Sequence, residues 1–383
     1  MLIPNNFTQV ISSTTGASLF VLAACLLSAT SPASVFAAQN LPNHSPNVRL
    51  YDGWTELMYA AWRGQTGTVN RLLGQSPAPE AEDEDGRTAI IYAAWNGNKD
   101  IIRALVSAGA DINHREKNGM TALMRAAQNN QVEALDTLHQ LGASTDMQDH
   151  LGHTALNWAV QKNHLATTQY LLKIGANPTI KDTTGTNALS IAAGFGNDNM
   201  VRLLLKFGAP INAKDGKGRA PLWFAADSGY LGSVKLLIKN GADMDAQDRH
   251  GITPLMRAIA RDQKQMALWL INHGATFDTS SQNGNTALHF AAAKGHQEIV
   301  QALLDAGANI NSTDRSGNTA LLLAIKAGAP AATAILLNSN ADVTHVNLLG
   351  DTAISIAKYE DNKKILGLLS AYGEANPGIL DKF

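Results

Sequence analysis

Ten glycines recur at a constant spacing of 33 residues: Gly53, Gly86, Gly119, Gly152, Gly185, Gly218, Gly251, Gly284, Gly317 and Gly350. A fixed period of this length signals stacked supersecondary units, and it overrides the two or three separate domains that 383 residues would otherwise suggest. Seven residues beyond each glycine stands an alanine, in every unit from Ala60 to Ala357. One small residue at one register position predicts helices that approach each other closely there. Two residues beyond the glycine, eight of the ten units have threonine, among them Thr55, Thr88, Thr121 and Thr286.

The stretch from Gly284 to Asn311 shows the physics of one unit. Gly284 supplies a turn of positive φ. Thr286 is placed to cap a helix that carries Leu288, Phe290, Ala291 and Ala292 and ends near Gly295. A second helix follows, with Ile299, Val300, Leu303 and Leu304 at helical spacing. Gly307 then sits where a left-handed C-cap residue belongs, as do Gly109 and Gly175 in their units. Neither helix can bury its apolar face alone, so the units must stack.

The pattern Gly-x-Thr-[Ala/Pro]-Leu-x-x-Ala-Ala-x-x-Gly…Leu-Leu-x-x-Gly-Ala resembles the ankyrin repeat, over residues 50–374. The resemblance implies an all-α repeat solenoid: helix-turn-helix units in a curved array, with β-hairpin or loop fingers on one edge. It also implies protein–protein recognition, through the fingers and the exposed face of each first helix. The family's Thr-Pro-Leu-His is mostly Thr-Ala-Leu here; Pro221 and Pro254 alone keep the proline, and His289 alone keeps the histidine. The family's Thr–His hydrogen bond is therefore expected only at Thr286 and His289. Asn340 replaces the closing glycine of the ninth unit and tolerates the left-handed region; Ser76-Pro77 stands there in the first. Lys358 and Asn362-Lys363-Lys364 read as a polar C-terminal cap, and residues 375–383 as a tail.

Residues 1–37 read as a secretory signal. Residues 17–29 form an apolar run too short for a transmembrane helix but right for a signal core, and Val35-Phe36-Ala37 offers a cleavage site. The segment has no lysine or arginine, the first being Arg49. A rival reading takes Leu22-Ala23-Ala24-Cys25 as a lipobox that would tether the protein to a membrane by lipidated Cys25, although Leu26-Leu27 continue the apolar run. Residues 38–49, with Pro42 and Pro46, read as a linker. The form of the signal points to a bacterial periplasmic or secreted location, with no membrane span after processing.

Composition narrows the chemistry. A net charge of −2 argues against nucleic acid as partner. With Cys25 the sole cysteine, an intrachain disulfide or a cysteine-based zinc site is excluded. No Gly-x-Ser-x-Gly occurs, and Asp215-Gly216-Lys217-Gly218 lacks the spacing of a phosphate loop and reads as a finger. The chain is expected to be a non-enzyme without cofactor. His150, His153 and His164 form the densest histidine group, a candidate zinc or copper site set against the plainer reading of polar surface residues. Glu80, Glu82, Asp83, Glu84 and Asp85 form an acidic run that would dock a basic partner or simply be a solvated finger tip.

The residue nine after each glycine falls, by the family resemblance, on the binding face. Along the chain it reads Trp62, Trp95, Gln128, Gln161, Gly194, Asp227, Ala260, Ala293, Lys326 and Tyr359. Trp62 and Trp95 thus fall side by side. With Trp54, Arg63, Arg87 and Asn96 close by they form the candidate partner-binding residues, since tryptophan and arginine dominate interface energetics. The alternative is that Trp54, Tyr59 and Trp62 shield the open N-terminal end. Trp158 and Trp223, in other registers, are expected in the packing between units. No coiled-coil heptad points to self-association, so a monomer that binds another protein is expected.

Overall fold

The chain divides into residues 1–45 and 46–383, and the computed structural model describes residues 53–75 and 78–376, all within the second unit. The expected signal over 1–37, its Cys25 alternative, the linker over 38–49 and Ser76-Pro77 lie outside the described residues, as do residues 377–383 of the expected tail.

The described residues form twenty helices in ten pairs. The first helices of the pairs are α1 (Glu56–Trp62), α3 (Ala89–Trp95), α5 (Ala122–Gln128), α7 (Ala155–Gln161) and α9 (Ala188–Gly194), then α11 (Pro221–Ser228), α13 (Pro254–Ala260), α15 (Ala287–Ala293), α17 (Ala320–Lys326) and α19 (Ala353–Tyr359). The second helices are α2 (Thr66–Leu73), α4 (Lys99–Ser107), α6 (Val132–Gln140), α8 (Leu165–Lys173) and α10 (Asp198–Lys206), then α12 (Leu231–Lys239), α14 (Lys264–Asn272), α16 (Gln297–Asp305), α18 (Pro330–Asn338) and α20 (Lys363–Ala375). First helices pack on first helices of the next pair, and second on second, so one core runs through all units of an all-α repeat solenoid. The ten periodic alanines lie in this seam, none more than 1% exposed.

Local chemistry sets the helix starts. The hydroxyls of Thr55, Thr121, Thr154, Thr253, Thr319 and Thr352 each accept the N–H three residues on. Asn187 does the same where the fifth unit lacks threonine. Ala220 cannot, and Pro221 at the first helical position preorganises that start. Thr286 and His289 form the one family-type pair: the Thr286 N–H donates to His289 Nδ1 at 3.1 Å, and His289 Nε2 donates to the Asn318 carbonyl at 3.1 Å. Asn340 takes φ +63°, as expected of a glycine substitute.

The fingers are loops closed by tight turns, with isolated antiparallel bridges joining Lys181 to Asn187 and Thr313 to Thr319. Gly185 shows why each finger needs its glycine. It holds φ +84°, and a Cβ there would lie 2.5 Å from the backbone nitrogen of Gly216 in the next finger. Three residues before the glycine, Asp83, Asp149, Asp182, Asp215, Asp248, Asp314 and Asn347 each accept two N–H groups, from the residues two and four further on. These turns follow the Asx logic of a side chain that bonds its own backbone.

Two hydrogen-bond ladders tie finger to finger. In one, Arg115, Gln148, Lys181 and Lys214 each donate to the carbonyl of the residue 33 further on. In the other, Asn113, Asp146, Asn212, Asp245, Asp278 and Asn311 each accept the N–H of the residue 31 further on. At the C-terminal end Lys358, Lys363 and Lys364 are exposed, as a cap requires, and α20 ends at Ala375.

Candidate protein-binding face

Trp62 closes α1 and Trp95 closes α3, so two consecutive first helices end in indoles, both half-buried. The two ends are stitched together. Asn96 Nδ2 donates to the Trp62 carbonyl at 2.6 Å, and Asn98 Nδ2 to the Ala61 carbonyl at 2.8 Å. Asn96 itself is exposed. Arg63 is exposed too, its guanidinium 5.8 Å from the Trp62 ring centroid.

Trp54 sits differently from its neighbours. It is 7% exposed, with its ring 4.2 Å from Tyr92 and 6.0 Å edge-on from Trp62. It supports Trp62 from behind, and the surface at this end is left to Trp62, Arg63, Trp95 and Asn96. Tyr59, also buried, packs 6.2 Å from Trp62.

Arg87 is half-buried on its finger. It pairs with Asp85 at 2.8 Å and lies 5.8 Å from the Trp95 centroid. A residue that the register argument passed over lies closer: the Arg125 guanidinium is 4.6 Å from the same ring. Arg125 binds Glu116 through two hydrogen bonds, at 2.7 and 2.6 Å, and Gln128 at 2.9 Å. All three are buried, Gln128 the most exposed at 7%. A charge-assisted bidentate pair of this kind is geometrically exacting and holds Arg125 in one orientation against Trp95. The signal was present in the sequence. Six residues after the glycine the units have Tyr59, Tyr92, Arg125, Trp158, Ile191, Phe224, Arg257, Phe290, Leu323 and Ile356, so only two break an apolar or aromatic series.

The acidic run is divided by the fold. Glu80, Glu82, Glu84 and Asp85 are exposed, whereas Asp83 is 7% exposed and closes its finger. Asp83 also accepts the Tyr92 hydroxyl at 2.5 Å. Burial and this hydrogen bond hold the Tyr92 phenol neutral, its pKa pushed well up. The reading of the run as wholly solvated therefore fails at Asp83, which the periodic aspartate of the other fingers would have revealed.

The three histidines do not converge. His164 binds the Gln128 carbonyl at 3.0 Å, His150 is exposed on its finger, and His153 lies 3.8 Å from Asp149 and 3.6 Å from Asp182. Burial would raise the Asp182 pKa, but hydrogen bonds from His153, Thr184 and Thr186 outweigh it and hold the carboxyl below its ordinary value. Among the described residues no three His, Cys, Asp or Glu side chains are grouped to hold a metal. The Asp215–Gly218 stretch is a finger turn, with Asp215 accepting from Lys217 and Arg219. Trp158 and Trp223 are buried in the packing, at 7% and 5% exposure. No helix of the described residues is long and apolar enough to cross a membrane.

Comparison with curated proteins gives no match. Among solved structures, the ankyrin repeat domain of Bcl-3, described as a unique member of the IkappaB protein family, is 27% identical, with a TM-score of 0.50 over 54% of this chain and 94% of that one. The family described as Ankyrin repeats (3 copies) matches at residues 23–116, 109–182, 174–248 and 233–314. These matches, taken with helix pairs and finger turns repeating every 33 residues, place the chain in the ankyrin-repeat family.

Proposed function

We propose that this protein is an exported, non-enzymatic scaffold that holds another protein on its fingers and first helices, anchored at Trp62 and Trp95. Proteins built from ankyrin repeats generally bind other proteins, and that supports the class of function. The observation that carries the site is the pairing of two half-exposed indoles on consecutive first helices, stitched by Asn96 and braced by Trp54 and Arg125. Rigid aromatic groups with arginine at their rims are the residues whose truncation costs an interface most, often about 2 kcal/mol or more each.

Export is supported by the apolar run at 17–29 and the small residues before Ala38. N-terminal sequencing of the mature protein tests it: a start at Ala38 supports cleavage, a blocked, lipidated Cys25 supports the tethered form, and an intact Met1 removes both.

The site is tested by crosslinking in the compartment where the mature protein resides, comparing wild type with the Trp62→Ala/Trp95→Ala double variant at equal helicity. A partner captured by the wild type and lost by the variant supports the anchor. A partner captured equally by both removes the anchor and leaves the scaffold. No specific partner for either removes the scaffold reading.

A further inference from the structure

Four units beyond the first indole pair, the binding edge has a different chemistry. Trp223 of α11 lies beneath two guanidiniums, Arg219 at 5.0 Å and Arg257 at 4.7 Å from its ring centroid. Arg219 stands one residue after its glycine and Arg257 six after the next one, the same two registers that Arg87 and Arg125 occupy around Trp95. Arg219 binds Asp215, 2.8 Å from its Nε and 2.6 Å from its Nη2. Arg257 and Arg261 share Asp227, at 2.5 and 2.7 Å. Three guanidiniums thus face two carboxylates, and their side chains remain 18–25% exposed.

Two further observations bear on this cluster. Trp223 is 5% exposed, yet its Nε1 makes no hydrogen bond. A buried indole N–H without an acceptor is a donor left waiting. The adjoining fingers expose Lys214, Lys217 and Arg249, while the aspartates beside them, Asp215 and Asp248, are turned inward to close their turns. The register of Asp227 is occupied by the small residues Gly194 and Ala260 in the flanking units, so its long neighbours are the two arginines it binds.

We propose that units six and seven form a second docking site, for an acidic segment of a partner protein, with a carboxylate taken by Arg219 and Arg257 over Trp223. Arg219 Nε and Nη2 already serve Asp215 and Arg257 Nε serves Asp227, so a guest carboxylate takes the terminal N–H groups that these pairs leave over, and the exposed lysines steer the approach. Discrete carboxylates fit this seat better than the continuous charge of a nucleic acid, because Asp215 and Asp227 lie within it and the chain as a whole is not basic. The finger edge of the second unit is the opposite pole, exposing Glu80, Glu82, Glu84 and Asp85, so the charge pattern also fixes the direction in which such a partner lies. The inference rests on the scaffold reading but not on the Trp62/Trp95 anchor.

The test uses the full chain and a random dodecapeptide phage library. The sequences recovered are expected to be rich in Asp and Glu, and a fluorescent copy of the best one is expected to bind about tenfold or more weakly to Arg219→Gln and Arg257→Gln. Those two arginines carry ion pairs, so a Lys217→Gln/Arg249→Gln variant, altered only at exposed positions, serves as the fold-neutral check. It is expected to weaken binding and flatten its salt dependence. The Trp62→Ala/Trp95→Ala variant is expected to bind the peptide unchanged. Recovery of no peptide or of neutral or basic ones overturns the proposal. So does acidic-peptide binding that survives both Arg219→Gln and the finger variant, or tighter binding of a single-stranded oligonucleotide.

Discussion

Glu116 and Arg125 hold each other through two hydrogen bonds at 2.7 and 2.6 Å, and neither is more than 4% exposed. Glu116 stands where eight of the other units have a short Asp, Ser or Asn acceptor that closes the turn. Its extra methylene takes the carboxylate away from its own backbone, and Asn118 accepts the Met120 N–H in its place. The third unit has therefore exchanged a local turn bond for a pair that fixes the platform under Trp95. Removing Arg125 leaves the buried Glu116 with only the longer contact to Arg87, at 3.5 Å, so Arg125→Ala is expected to destabilise by up to about 3–5 kcal/mol. Arg125→Met with Glu116→Leu is expected to lose far less. Urea unfolding of the three proteins measures both. If the single and double variants lose equally, the pair is not what holds this corner.

The same Arg125 separates stability from recognition. In the double apolar variant the helix is expected to persist, but the nearer cation over Trp95 is gone and only Arg87, at 5.8 Å, remains. Partner capture is expected to fall with the double variant although its helicity matches wild type. Capture at the wild-type level would mean that Trp95 binds without its arginine.

Thr179 and Pro210 mark the one interior gap in the second finger ladder. Every flanking rung has an Asn or Asp accepting the N–H found 31 residues on, but Pro210 has no N–H to give. Thr179→Asn alone is therefore expected to be neutral, Pro210→Asp alone near neutral, and the two together to gain about 0.5–1.5 kcal/mol, the value of a typical hydrogen bond. Thermal unfolding of the four members of the cycle gives the coupling. Additive effects would show that the ladder contributes nothing here.

Asn340 offers a local check on backbone strain. It holds φ +63° where seven other units have glycine between φ +81° and +95°. Asn340→Gly is expected to be neutral or mildly stabilising. Asn340→Val is expected to cost about 1–2 kcal/mol, because a β-branched side chain meets the backbone in the left-handed region. The shift in melting temperature decides it.

What the sequence made legible was local. The 33-residue period, the alanine seam, the threonine caps and the left-handed glycines depend on neighbours within a few residues, and pattern is enough to place them. The register of Trp62 and Trp95 placed two helix ends side by side for the same reason. What it hid depends on side chains meeting across a finger or between units. Nothing in the string showed that Arg125 reaches back nine residues to Glu116, that Asp83 turns inward to Tyr92, or that Trp54 packs under Trp62. The aspartate that stands three residues before the glycine in six of the ten units was there to be read, and it would have separated Asp83 from its solvated neighbours.

His289 supplies a pH dependence whose sign is fixed by its surroundings. Burial lowers its pKa below the ordinary 6.5, while the Asn318 carbonyl and Asp314 pull weakly the other way. The Thr286 N–H points at Nδ1 and the Asn318 carbonyl accepts from Nε2, so the ring is held neutral with its proton on Nε2. Between the folded and unfolded pKa values the unfolded chain binds the extra proton, so stability rises with pH in that window. The contribution is complete above about pH 6.5 and is lost as pH falls through the window toward the folded value. His289→Gln keeps a polar side chain without the titration. It is expected to be less stable than wild type at pH 7.5, with the gap narrowing at pH 5.5. Denaturant midpoints at the two pH values measure this. A gap that widens on acidification would mean that the protonated ring is the form the fold prefers.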